Sequence, residues 1–153
     1  MSARKRVLVV DDDPDVRRLV AGVVVDAGYD AQTALDGEHA IRSVVALHPD
    51  LILLDLQVPE RSLAFQFAEV YRERFAAGAR APIIAISGAP DVEAVSQQLG
   101  ASGFLRKPFD VEELTRCVRA YLGEPTAAAE SEPDLPEPAA GRPSLSETLR
   151  LMR

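Results

Sequence analysis

The 153-residue sequence predicts an α/β fold, a five-stranded parallel sheet doubly wound in (βα)5 order. Two observations carry that expectation. Short apolar runs alternate with segments of helical period along residues 1–123. The best of these runs are apolar throughout, as in strands covered by helices on both faces and joined by right-handed crossovers.

Residues 7–10 (Val-Leu-Val-Val) read as a buried strand that runs into Asp11-Asp12-Asp13. Asp13 precedes Pro14, so it is read as a helix cap and not as a ligand; the helix it opens stops at Gly28. Residues 29–34 make a weak, edge-like strand, and Asp36 caps a second helix that ends before His48-Pro49. Residues 51–54 (Leu-Ile-Leu-Leu) are the strongest strand and lead straight into Asp55. A third helix is expected over about 62–77, closed by Gly78. The fourth strand, residues 83–86, ends at Ser87, and a helix over about 91–99 follows. Residues 103–106 form a short fifth strand ending in Lys107-Pro108, and Asp110 with Glu113 makes a capping box for the last helix.

Composition narrows the function. Acidic residues outnumber basic ones by 24 to 17, a formal charge of -7, which argues against binding nucleic acid through the bulk surface. A lone Cys117 makes no internal disulfide or thiol metal site and is expected to be packing. With no signal peptide and no membrane-length apolar run, a cytoplasmic protein without a membrane role is expected. His39 and His48 are expected to face solvent, and Phe65, Phe67, Tyr71 and Phe75 to serve packing. Composition breaks after Gly123. Residues 124–143 hold five of the eleven prolines among many Ala and Glu, as in a flexible linker. Residues 144–153 (SLSETLRLMR) place Leu145, Leu149 and Met152 at helical spacing, a short amphipathic tail that could dock on this domain or on a partner.

The polar residues at the strand ends carry the chemistry. Asp11 and Asp12, Asp55, Ser87 and Lys107 end four different strands. In an open α/β sheet the ligand crevice lies beyond those ends, so three carboxylates, a hydroxyl and an ammonium are expected to meet. Clustered carboxylates repel unless a cation intervenes, and an all-oxygen site suits Mg²⁺. Such a cation can bridge a carboxylate and an incoming phosphoryl group, with Lys107 neutralising further charge.

Four segments, VLVVDDDPDVR, DLILLDLQVP, PIIAISG and GFLRKPF, occur in this order along residues 1–123. Together they resemble the response-regulator receiver domain of two-component signalling, which implies a flavodoxin-like receiver fold. The resemblance implies that Asp55 is the phosphoacceptor, taking a phosphoryl group from a histidine kinase or phosphotransfer protein. It implies Mg²⁺ held by Asp12 directly, Asp11 mainly through water, Asp55, and the Gln57 backbone carbonyl. Lys107 would pair with Asp55 and then with phosphate, Ser87 would move to meet a phosphate oxygen, and Phe104 would turn inward as the switch aromatic. The bond to Pro108 is expected to be cis. The readout would be a protein partner on the face of the fourth helix, fifth strand and fifth helix, or on the tail, with a homodimer left open. With only thirty residues after Gly123, no output domain is expected and the chain is not read as an enzyme, beyond promoting its own phosphoryl transfer and dephosphorylation.

Departures from the family pattern bear on the loop after Asp55. Ser62 fits the pattern and can cap the third helix, but Leu63 stands where glycine is usual. Ser87 for Thr and Phe104 for Tyr are common variants, and Gln57 and Ala89 hold positions that tune phosphate lifetime in the family. A non-phosphorylated binding module on the same fold is the alternative reading, supported only by Leu63. An aspartyl phosphatase would need a second Asp two residues after Asp55, where Gln57 stands.

Overall fold

The computed structural model describes residues 4–57 and 61–124. The linker and tail expected over 124–143 and 144–153 fall outside the described residues, apart from Glu124.

Five strands, β1 (Arg6–Val10), β2 (Asp30–Ala34), β3 (Leu51–Asp55), β4 (Ile83–Ser87) and β5 (Gly103–Arg106), form one parallel sheet in the order β2-β1-β3-β4-β5. Five helices alternate with them: α1 (Pro14–Asp26), α2 (Gly37–Leu47), α3 (Arg61–Arg74), α4 (Val92–Leu99) and α5 (Val111–Leu122). The fold is the one the sequence predicts, and the weak strand β2 sits at the edge as expected.

Strand periodicity divides the core into two layers. Val7 and Val9, Leu51 and Leu53, and Ile84 and Ile86 point to the side covered by α1 and α5. Leu8 and Val10, Ile52 and Leu54, and Ile83 and Ala85 point to the side covered by α2, α3 and α4. Successive side chains of a strand face opposite ways, so a strand between two helical layers must be apolar at every position. Val7–Val10 and all of β3 except its last residue meet that demand.

Local chemistry sets most helix ends. The Asp13 carboxylate accepts from the backbone N–H of Asp15 and Val16, the Asp36 carboxylate from His39, and the Asp110 carboxylate from Glu113. Helix α3 departs from expectation, ending at Arg74 and not near residue 77. Ala76 is extended, and Ala77–Ala79 makes a separate 3-10 turn. The return to β4 is held by the Tyr71 hydroxyl, which accepts the Ala81 N–H at 2.8 Å. Phe67 and Tyr71 are buried and Phe65 and Phe75 half-buried, all packing as expected. Cys117 is half-buried against the other layer, where burial pushes its thiol pKa up. His48 is exposed; His39 is half-buried, and its Nδ1 accepts the Leu35 N–H at 3.3 Å, so it is less free than expected. Among the described residues no helix is long and apolar enough to cross a membrane.

Candidate functional site

The chain reverses direction across the sheet at β1: β2 pairs on one side of it and β3 on the other. Val10 of β1 lies opposite Leu54 of β3, so the residues that follow, Asp11 and Asp55, emerge side by side. This switch point is where an open α/β sheet forms its ligand crevice.

Asp11, Asp12 and Asp55 there offer carboxylate oxygens that lie within 4.8 Å of one another. Asp11 and Asp55 are buried, each 5% exposed, while Asp12 is open to solvent. The Lys107 ammonium, carried in by the end of β5, stands 3.0 Å from Asp55 Oδ2 and 3.8 Å from Asp11 Oδ2. The other oxygen of Asp55 accepts the Gln57 N–H at 2.9 Å, so donors fix both oxygens of that carboxylate. The bond between Lys107 and Pro108 is cis.

Burial disfavours the ionised form of Asp11. Desolvation raises its pKa from 3.8 to about 7, with the neighbouring Asp55 adding to the rise. The Asp13 N–H, at 2.9 Å from Asp11 Oδ1, and Lys107 pull the other way. An all-oxygen set of three crowded carboxylates with a single ammonium fits a hard divalent cation.

The other expected site residues are placed as follows. Ser87 is buried at 1% exposure, and its hydroxyl accepts the Ala89 N–H at 3.0 Å. Gly88 and not Ser87 lines the acidic pocket, with Val16, Lys107 and Pro108. Phe104 is half-buried on the α4 side, and the Arg106 guanidinium carbon sits 5.4 Å from its ring centroid. Gln57 is seen to act through its N–H. Leu63 is half-buried in a groove between α2 and α3 that reaches Asp12.

One contributor escaped the sequence reading. Arg17, in the first turns of α1, donates through Nη1 to the Asp11 backbone carbonyl at 2.8 Å and steadies the acidic loop. Nothing in a surface helix position marks such a contact. It follows from how α1 leaves the sheet.

The family model for the response regulator receiver domain matches residues 7–119, and the chain belongs to that family. It is 38% identical over 133 residues to the DNA-binding dual master transcriptional regulator RpaA of Synechocystis, covering 83% of this chain and 54% of that protein. It is 36% identical over 121 residues to the DNA-binding response regulator MtrA of Mycolicibacterium smegmatis, covering 78% of this chain and 51% of that protein. Among solved structures, the Vibrio cholerae chemotaxis protein CheY4 superposes with a TM-score of 0.69 at 30% identity, covering 78% of this chain and 99% of that one. The chain thus spans about half the length of RpaA and MtrA, and less of some other curated relatives. Two relatives are named as DNA-binding, so the exclusion of nucleic acid drawn from the acidic balance does not stand for this family. Surface charge reports only on the portion of a protein that carries it.

Proposed function

We propose that this chain is a phosphoacceptor of two-component signalling, in which Asp55 takes a phosphoryl group from the phosphohistidine of a histidine kinase or phosphotransfer protein. The observation that carries this reading is the Asp55 carboxylate, buried between Asp11, Asp12 and the Lys107 ammonium at 3.0 Å. An Asp55 oxygen forms the new P–O bond as the donor's P–N bond breaks, leaving the electron pair on the imidazole. Donors on both sides of Asp55 hold it in a single orientation, so part of the ordering cost is met before the donor arrives. Lys107 then exchanges its carboxylate partner for a phosphate oxygen and offsets the developing charge.

Asp11, Asp12, Asp55 and the Gln57 backbone carbonyl would hold Mg²⁺. When bound, the ion supplies charge neutralisation between the carboxylates and the incoming phosphoryl oxygens. The receiving chain provides positioning and electrostatics and turns over no separate substrate, so it is not an enzyme in the ordinary sense. After transfer, the Ser87 hydroxyl leaves the Ala89 N–H for a phosphate oxygen. Phe104 turns inward as that loop shifts, changing the α4-β5-α5 face that a downstream protein reads. Membership of the receiver family supports a cytoplasmic setting for this chemistry.

Intact-mass measurement after acetyl phosphate and Mg²⁺ tests the reading. One phosphoryl group is expected on the wild type, with none on Asp55→Asn and none when Mg²⁺ is chelated. If the wild type gains no mass in any condition, the chain is a binding module on a receiver fold.

A further inference from the structure

The groove between α2 and α3 meets the site above only at Asp12. It is a cavity of about 500 Å³ with an apolar floor of Ile41, Leu63, Phe67 and Val70, and an acidic rim of Asp12, Asp36 and Glu38. Leu35 stands at its mouth and is 48% exposed. A cavity of this size takes two or three aliphatic side chains, and an apolar floor with a charged rim suits an amphipathic helix bearing cations.

We infer that this groove is the docking site for the chain's own residues 144–153. Three features single out that occupant. Leu145, Leu149 and Met152 recur at spacings of four and three, which puts all three on one face of a helix. Within 144–153, Arg150 and Arg153 accompany them against one acid, Glu147, so in a chain of net charge -7 the side chains of this segment carry the sign opposite to Asp12 and Asp36 on the groove's rim. The geometry also permits it. Helix α5 is followed by Gly123, whose carbonyl accepts the hydroxyl of Tyr29 just before β2, whereas Leu35 and Asp36 follow the other end of β2. The path rises the height of one strand, on the order of 20 Å, and must also round the sheet edge at β2, because α5 and the groove lie on opposite faces of the sheet. The twenty residues 124–143 span on the order of 25 Å even as a flexible coil, and more if their prolines extend them.

Tethering makes a weak contact sufficient. An effective concentration of about 1 mM leaves a segment that binds in trans at about 1 mM docked roughly half the time. Asp12 belongs both to this groove and to the acidic pocket, so the docked arginines oppose a cation there. That consequence rests on the phosphoacceptor reading; the docking itself does not.

The test uses the full chain with Cys117→Ser and Ser144→Cys, a nitroxide on the new thiol, and methyl NMR without phosphate or metal. Methyls of Leu35, Ile41, Leu63 and Val70 are expected to lose most of their intensity, and Leu149→Asp is expected to restore it. Leu35→Asp, at an exposed position that leaves the core intact, should release the segment in the same way, seen as recovery at Ile41 and Val70. Unchanged groove methyls, or broadening confined to the α4-β5-α5 face, would overturn the proposal. So would broadening that passes from a labelled copy to an unlabelled one, because the occupant would then be a second chain.

Discussion

Asp11 and Asp55 are equally buried but stand at different distances from the Lys107 ammonium. Lys107 sits against Asp55 at 3.0 Å and farther from Asp11 at 3.8 Å, and desolvation by burial raises the Asp11 pKa to about 7. The sign follows from which state holds the proton. Between 3.8 and about 7 the folded chain keeps the Asp11 proton that the unfolded chain has lost. In the metal-free protein this group therefore costs stability progressively as pH rises through that window, and the whole cost is present above it. A divalent cation takes the proton's place. Mg²⁺ is thus expected to raise the unfolding temperature more at pH 8 than at pH 5. Its apparent affinity should fall by up to about tenfold per pH unit below pH 7. Calorimetry at pH 6 in buffers of different ionisation enthalpy should show proton release on binding, and at pH 8 almost none. Equal Mg²⁺ affinity at the two pH values would show that binding displaces no proton from Asp11.

At the scale of elements, three helix starts were legible, whereas α3 opens at Arg61 with the expected cap Ser62 already inside it, and its end was not legible either. Asp13, Asp36 and Asp110 cap the helices they were expected to cap, because a side-chain oxygen over the first turn is a contact between near neighbours in sequence. The end of α3 depends on Tyr71 reaching Ala81 across a loop, which no local signal announces. The join between α3 and α4 is of the same kind. Arg72 on α3 donates to the Leu99 carbonyl at 2.6 Å, placing a cation on the last turn of α4. Gly100 beside it is left-handed at φ 84°, and a Cβ there would strike the Arg72 guanidinium. Arg72→Ala is expected to cost about 1 kcal/mol, read from the urea midpoint. The phosphoryl gain at Asp55 should be unaffected.

For the molecule as a whole, the sheet sits between two helical layers and β3 is its central, most buried strand. Leu53 is fully buried and belongs to the layer shared with α1 and α5. Leu53→Ala should destabilise the fold by about 2–5 kcal/mol in equilibrium unfolding, since both the lost transfer free energy and the residual cavity count. A loss below about 1 kcal/mol would mean that this layer can collapse around the gap.

The sequence by itself determined the order of strands and helices, their caps, and which strand ends carry carboxylates, because these rest on periodicity and contacts between near neighbours. It also identified Asp11, Asp12, Asp55 and Lys107 as a group, since the rule about strand ends needs no coordinates. Only the tertiary structure decided that β1 and β3 are neighbours, which sets Asp11 against Asp55, and how deeply Asp11 is buried, which raises its pKa. It likewise placed Arg17 on the Asp11 carbonyl, engaged the Ser87 hydroxyl with Ala89, and opened the groove beside Leu63. Burial and Coulomb energy depend on distances between groups far apart in the chain, and those distances exist only once the sheet has assembled.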